Sequence, residues 1–83
     1  MESAMREFVY PARFARDRKD GGYVVSFRDV PEAITQADTL AECHEEAAGA
    51  LQAAIEGRIM DGLDIPVASR AKRGERTVPC IRR

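Results

Sequence analysis

Residues 38–62, DTLAECHEEAAGALQAAIEGRIMDG, are the stretch that decides the fold of this chain. Read with the period of an α-helix, its apolar residues share one stripe, which consists of Leu40, Cys43, His44, Ala47, Leu51, Ala54 and Ile55. The other side carries polar residues, namely Glu42, Glu45, Glu46, Gln52 and Glu56. We therefore predict one long amphipathic helix. Because no second helix of this kind occurs, its apolar stripe needs a sheet to cover.

The ends of this helix carry recognisable signals. Thr39 can cap the first turn with its hydroxyl group, and Glu42 can reach back to the N–H of Thr39, as in a capping box. Gly62 supplies the left-handed conformation at which helices often end, and Pro66 prevents resumption. The sequence therefore predicts a helix that starts just after Thr39 and ends before Gly62.

The segment before the helix predicts a β-hairpin. Its first strand has an alternating apolar face, made by Phe8, Tyr10, Ala12 and Phe14. Pro11 has no N–H, so it has to lie at the strand start, at a bulge, or where that N–H would point away from a neighbour. Residues 16–22, RDRKDGG, predict the turn, and Tyr23 to Phe27 predict the second strand.

The remaining segments complete a small α+β domain. Residues 33–36 predict a third strand after a turn at 28–32, and residues 76–81 predict a fourth strand after the helix. If the last strand returns beside the first, the order is 3-2-1-4 with the helix across one face. A strand, helix and strand that pair in parallel would cross over in a right-handed sense. The other face, with Val9 and Val24, stays poorly covered and invites a partner.

Length and composition bound the classes of protein. Eighty-three residues form one domain, 1–83, with a frayed lead-in at 1–7 and a loose basic connector at 67–75. The chain is 45% hydrophobic and 33% charged, which indicates a globular protein, and it shows neither a membrane-spanning run nor a signal peptide. Cys43 and Cys80 lack metal-ligand spacing, so reduced thiols and the cytoplasm are expected.

Charge is distributed unevenly along the chain. Residues 1–66 hold 7 basic and 13 acidic residues, a net charge of −6, whereas residues 67–83 hold 6 basic and 1 acidic, a net charge of +5. An acidic body disfavours direct nucleic-acid binding and suits a basic protein partner. The short basic segment could touch phosphate, but it is weak evidence for nucleic-acid binding.

Together these segments resemble a known family. The run YPARF, followed by DGGYVVSFRDVPEAITQADTLAECHEEAAGALQAAIEGRIMDGLDIPVAS, is similar to the N-terminal domain of HicB antitoxins across nearly all of residues 8–69. The matching features are the aromatic first strand, the D-G-G-Y-V strand, the F-x-D-x-P turn, the I-T-Q segment into the helix and the D-G-x-x-I-P exit. Ala37 stands where the family often has Gly, and His44 where it usually has an aliphatic residue.

The resemblance implies a partial RNase H-like fold and an antitoxin that neutralises HicA, a small basic mRNA-cleaving toxin. Family members are usually cytoplasmic, tend to be oligomeric, and continue into a helix-turn-helix or ribbon-helix-helix module that binds DNA. The stretch RGERTVPCIRR at 73–83 resembles the join to such a module. The module is absent from this sequence, whether by truncation or because the chain is a short family member, so DNA binding is expected only through a module outside it.

An RNase H-like fold raises the question of nuclease activity. Two-metal phosphoryl chemistry needs carboxylates that converge from the first strand, the helix and a later strand. Residues 8–15 and 76–81 contain no Asp or Glu, so we expect no catalytic residues, no metal site and no enzyme. A residual nuclease is the least favoured reading.

The single histidine and the two cysteines are also better explained by packing. We expect His44 at the edge of the core, stacked on an aromatic ring of the sheet, because a general base would need a partner that the sequence does not offer. Cys43 and Cys80 are expected to be small buried residues, since zinc requires four ligands. No cofactor and no small-molecule substrate are expected.

Two sets of residues are candidates for protein contacts. For a basic partner we choose the turn and the helix acids, namely Asp29, Val30, Pro31, Glu32, Glu42 and Glu46. Plain turn chemistry and a solvated helix face are the alternatives for these positions. For a homodimer or larger homo-oligomer we choose a side of the helix with small residues, namely Gly49, Ala53, Gly57 and Met60, with drift on a solvated face as the alternative.

The sequence therefore favours an antitoxin domain that covers a basic RNA-cleaving toxin. The alternative from another class is a stand-alone oligomeric scaffold or regulator with the same fold and no toxin partner. A neighbouring reading frame for a small basic protein favours the first hypothesis, and its absence favours the second.

Overall fold

The computed structural model describes residues 7–81, which form four strands and one helix. The strands are β1 (Glu7–Arg16), β2 (Tyr23–Ser26), β3 (Ile34–Ala37) and β4 (Glu75–Ile81), and the helix α1 spans Leu40–Met60 between β3 and β4. The sheet order is β3-β2-β1-β4, which confirms the predicted order. The predicted α+β class and the element order are confirmed as well.

All three strand pairs of the sheet are antiparallel. In β1, residues 13–16 pair with β2 and residues 7–13 pair with β4. The condition for a right-handed parallel crossover is therefore not met, because β4 returns beside β1 in the opposite direction. Elements also begin or end one residue away from their predicted limits: Glu7 and Glu75 belong to strands and not to the lead-in and the connector, and β3 runs to Ala37. The rest of the predicted lead-in lies outside the described residues.

Pro11 lies in the middle of β1, opposite Thr77. The N–H of Asp17 donates to Gly22 O, so odd-numbered residues of β1 direct their backbone groups toward β2. At Pro11 no β2 partner exists, because the β1–β2 register begins at Arg13. Of the three positions left open by the sequence, the structure selects the one where the missing N–H would point away from a paired strand.

Helix α1 begins and ends close to its predicted limits. Thr39 is the N-cap, with Glu42 N–H donating to Thr39 Oγ1 at 3.2 Å, and Gly62 adopts φ +75° just after the C-cap Asp61. Within residues 7–81 no bond from the Glu42 carboxylate returns to the N–H of Thr39, so one half of the capping box forms.

The buried stripe of α1 is narrower than the sequence predicts. It consists of Cys43, Ala47, Leu51 and Ile55, spaced four residues apart. Leu40 and His44 are exposed and Ala54 is only partly buried. Because small side chains at Cys43 and Ala47 let the helix lie close to the sheet, a single row of residues fills the interface. Leu40 and His44 were both predicted to lie in the apolar stripe, and both are exposed.

The core lies between α1 and one face of the sheet. Its largest fully buried side chains are Tyr10, Phe27, Leu51 and Ile55. The Tyr10 hydroxyl group donates to Pro66 O at 2.8 Å, which fixes the chain after α1 against β1. Burial raises the pKa of Tyr10, so this phenol remains a donor. The opposite face was predicted to be poorly covered, with Val9 and Val24 on it. Val9 is 39% exposed, but Val24 is partly buried, and Pro11, which alternation places on the same face, is fully buried, so this face is covered in part.

Candidate partner-binding surface

An acidic cleft lies between the β1–β2 hairpin and the start of α1. Its lining consists of Asp17, Asp20, Gly21, Tyr23, Gln36, Ala37, Asp38, Glu42, Glu45 and Glu46. The volume is about 510 Å³. Six of these ten residues are Asp or Glu and none is Lys, Arg or His, so the cleft is strongly negative. We define the acidic cleft by this lining.

The hairpin turn forms one wall of the acidic cleft. Asp17 Oδ1 accepts hydrogen bonds from the N–H groups of Lys19 and Asp20 at 3.0 and 3.2 Å, which folds the turn around the Asp17 side chain. Gly22 has φ +76°, and a Cβ there would lie 2.7 Å from Ala37 O. This close approach is open only to glycine, and it places the acids of the turn beside the end of β3.

The first two turns of α1 form the other wall. Glu42, Glu45 and Glu46 occupy positions three and four residues apart, so their side chains share one side of the helix. All three are exposed. In the described part of the chain, none of their carboxylates is hydrogen-bonded to another side chain or forms a salt bridge. The N-terminal end of the helix dipole stabilises negative charge here, although the three acids repel each other.

The other predicted contact segment, residues 29–32, has a different environment. Asp29 accepts hydrogen bonds from Ser69 N–H at 2.7 Å and Ser69 Oγ at 2.9 Å, and Val30 is completely buried. Glu32 forms an ion pair with Arg58, whose Nη2 donates to Glu32 Oε1 at 2.8 Å. These hydrogen bonds lower the pKa of Glu32. Of residues 29–32, Pro31 alone is exposed without a hydrogen bond or an ion pair that holds its side chain.

A second internal ion pair, between Arg28 and Glu75, joins the segment after β2 to the start of β4. Arg28 Nε and Nη2 donate to the two carboxylate oxygens of Glu75 at 2.9 and 3.1 Å, and Nη2 also donates to Arg70 O at 2.6 Å. The Arg28 hydrogen bond, followed by the one from Lys72 N–H, lowers the pKa of Glu75 from 4.5 to about 2. These contacts attach the connector between α1 and β4 to the sheet.

The six residues predicted for a basic partner therefore do not form one surface. Glu42 and Glu46 line the acidic cleft, whereas residues 29–32 lie elsewhere and hold internal contacts. Sequence reasoning missed Asp17, Asp20 and Asp38 as neighbours of the helix acids. The available signal was the Asp-Gly-Gly turn, whose glycines permit close packing against a neighbouring segment.

The residues predicted for self-association face open space. A Cβ built at Gly49 or Gly57 would meet no atom within 4 Å, so packing within this chain does not require glycine at either position. Ala53 is exposed, and Met60 is 85% exposed. Their role stays a prediction.

The side chains of the histidine and the two cysteines, which could in principle act as nucleophiles or general bases, contribute to packing. The His44 ring lies 4.8 Å from the Phe14 ring with an angle of 52° between the ring planes, so the predicted contact with an aromatic ring of the sheet forms in a tilted arrangement. Cys43 and Cys80 are buried, and burial raises the pKa of the Cys43 thiol, which keeps it protonated. Residues 7–81 contain no group of three or more His, Cys, Asp or Glu side chains arranged to hold a metal ion.

No helix in the described region has the length and apolar character needed to cross a lipid bilayer.

Comparison with known proteins identifies relatives of one kind. A family model described as the HicB-like antitoxin of bacterial toxin–antitoxin systems matches residues 9–80. Antitoxin HicB of Escherichia coli is 48% identical over 50 residues, which cover 60% of this chain and 36% of that protein. Antitoxin HicB 1 of Photorhabdus laumondii is 49% identical over 49 residues, which cover 59% of this chain and 32% of that protein. The similar segment thus spans about a third of each relative.

Proposed function

The chain belongs to the HicB-like family of bacterial antitoxins, and from this membership we propose that it binds and occludes a small basic, mRNA-cleaving toxin of the HicA type. The relatives are named as antitoxins, not as enzymes. The observation that carries the proposal is the acidic cleft, whose lining holds six carboxylates and no basic side chain.

The proposed mechanism is steric and electrostatic. A toxin that cleaves RNA needs a basic surface to hold phosphates, and the charge of the acidic cleft has the sign that attracts such a surface. With the cleft against that surface, the folded domain covers the place where RNA would bind. This mechanism needs no cofactor and no catalytic residue in the antitoxin.

We propose Glu42 and Glu46, with Asp17, Asp20, Asp38 and Glu45 beside them, as the first contact region. The segment 29–32 remains a second proposed region. It is less favoured for charge contacts because Asp29 and Glu32 would have to exchange Ser69 and Arg58 for a partner. Pro31 could contact the toxin without such an exchange, since its side chain is exposed.

The other properties expected of this antitoxin are proposals of the same kind. We propose that it acts in the cytoplasm as a homodimer or larger homo-oligomer, with Gly49, Ala53, Gly57 and Met60 at the subunit contact. Sedimentation of Gly49→Leu tests that contact, because a bulky side chain there should dissociate the oligomer. Any DNA contact is proposed only for a separate C-terminal module and not for residues 1–83.

The experiment that tests the function is co-expression of this chain with the small basic protein encoded beside its gene, followed by affinity purification and a growth test. We expect the two proteins to co-purify at low salt and the chain to restore growth. The control is co-expression of the tagged chain with a catalytically inactive toxin variant. Because this variant does not arrest growth, co-purification then reports binding separately from toxicity.

If the toxin arrests growth and no complex forms, the antitoxin proposal for this domain is wrong. If the complex forms equally well at low and high salt, the proposal of toxin binding stands but the electrostatic part of the mechanism is wrong. The reason is that contacts between exposed charges weaken when salt screens them.

A further inference from the structure

A second groove, of opposite charge, lies at the edge of β1 where β4 ends. The last β1–β4 pair is Arg13 with Glu75, so Phe14, Ala15 and Arg16 extend past the neighbouring strand. Gly74 has φ +90°, and Glu75 N–H donates to Lys72 O, so the chain turns away from the sheet at this point. The groove left beside the end of β1 has a volume of about 710 Å³.

The groove is lined mainly by cationic side chains, and we call it the basic notch. Its five cations are Arg13, Arg16, Arg18, Lys72 and Arg73, and all five are exposed. Glu75 is the single acid in the lining, and both of its oxygens accept hydrogen bonds from Arg28. The basic notch therefore carries several positive charges that the lining does not neutralise, and it attracts an anionic partner.

The backbone at the basic notch indicates which kind of anion fits. Odd-numbered residues of β1 direct their N–H and C=O groups to β2, so those of Arg16 point to the notch. Among the described residues, no backbone hydrogen bond links Arg16 to residues 70–74. Arg16 thus presents a donor and an acceptor side by side. An extended peptide satisfies both groups, whereas a phosphate satisfies only the donor.

We propose that the basic notch binds an extended acidic segment of a partner protein, which adds a short strand beside residues 14–16 of β1. Backbone hydrogen bonds to Arg16 position the segment, and its carboxylates contact the cations of the notch. This surface is separate from the acidic cleft and has the opposite sign. It would allow the domain to hold a second, acidic partner while a basic protein occupies the cleft.

The test uses the full chain and a synthetic six-residue peptide that alternates Glu and Val, labelled for fluorescence anisotropy. We expect saturable binding at low salt, and slower amide hydrogen exchange at Arg16 when the peptide is bound. Arg16→Glu with Arg73→Glu should weaken binding at least about tenfold, because two cations that face carboxylates are reversed. Lys19→Glu with Arg70→Glu is the matched control, since it changes the net charge equally at exposed residues outside the notch.

Two further outcomes decide between binding modes. A peptide of the same sequence with N-methylated backbone nitrogens should bind more weakly, since it cannot donate to Arg16 C=O. Equal binding of the two peptides, or equal effects of the two double variants, would overturn the proposal. A uridine oligonucleotide of equal charge is the last probe. If it binds more tightly than the peptide and also slows amide hydrogen exchange at Arg16, the basic notch is a nucleic-acid site and the peptide proposal is wrong.

Discussion

The carboxylates of this domain fall into two groups that differ in what they contact. In the acidic cleft, Glu42, Glu45 and Glu46 are exposed and form no salt bridge among the described residues. Around the connector between α1 and β4, Asp29 and Glu75 join segments that are distant in sequence. The same residue types therefore supply an open charged surface in one region and fasten the fold in the other.

The difference follows from where the arginines lie. Arg28 and Arg58 are placed beside the connector and the 29–32 turn, where each donates to a carboxylate. No arginine or lysine lines the acidic cleft. A carboxylate paired with an arginine is stabilised in the folded state, whereas carboxylates placed beside one another repel. The acidic cleft therefore lowers the free energy of unfolding unless a cation from outside the domain neutralises its charge. This predicts opposite effects of substitution in the two regions.

The largest effect is expected from Glu42→Lys with Glu46→Lys. Toxin affinity should fall about 100-fold, since each reversed charge at an interface costs about 1.4 kcal/mol. The free energy of unfolding should change little, because the decrease in repulsion among the acids is opposed by the loss of their favourable interaction with the helix dipole. Calorimetric titration with an inactive toxin and denaturant unfolding of the same sample measure both quantities.

The matched control for this variant is Glu56→Lys with Asp64→Lys, which makes the same change in net charge at exposed positions outside the acidic cleft. Equal losses of affinity in the two double variants would mean that net charge alone matters. The cleft would then have no special role in toxin binding.

A smaller effect, on stability, is expected from Asp29→Ala. The change removes the acceptor of two hydrogen bonds from Ser69 and leaves its N–H without that partner, so unfolding should become easier by about 1–3 kcal/mol. Urea unfolding followed by circular dichroism measures this. Toxin affinity extrapolated to fully folded protein should change little; a 100-fold loss would instead assign Asp29 to the interface.

The smallest effect is a change in pH dependence from Glu75→Gln. The folded pKa of Glu75 is about 2 and its ordinary value is 4.5, so the stabilisation is complete above pH 4.5 and disappears as the pH falls through 2. The variant lacks this contribution, so the two unfolding free energies should differ above pH 4.5 and converge near pH 2. High salt should reduce the difference, because the pair is exposed. Parallel curves across this range would contradict the assignment.

The sequence was sufficient for most of the fold because the signals were local. Thr39 and Gly62 mark the ends of α1, the Asp-Gly-Gly turn marks the hairpin, and alternation marks the face of β1. The strand order was also predicted correctly. The prediction was wrong at Leu40, and the direction of the last strand pair was left open, because both depend on how elements meet in space.

The two groups of carboxylates could not be separated from the sequence. The partners of Asp29 and Glu32 are 40 and 26 residues away in the chain, and that of Glu75 is 47 residues away. No local pattern carries such contacts, because they arise only when the end of α1 and the connector pack against the sheet. The acidic cleft likewise depends on the approach of Gly22 to Ala37, which needs the hairpin and β3 to pair first.

Proline at position 79 has a consequence for the behaviour of the protein at high concentration. Pro79 pairs with Val9, whose backbone groups point to the side of β2, so the Pro79 nitrogen lies on the outer edge of β4. That edge lacks one donor for a further strand, whereas the β3 edge keeps both of the N–H groups that it directs outward, those of Ile34 and Gln36. Two copies could join through β3, but the joined sheet would then end in β4 on both sides. Pairing through the β3 edge alone would stop at a closed pair of copies and would not grow into a fibre.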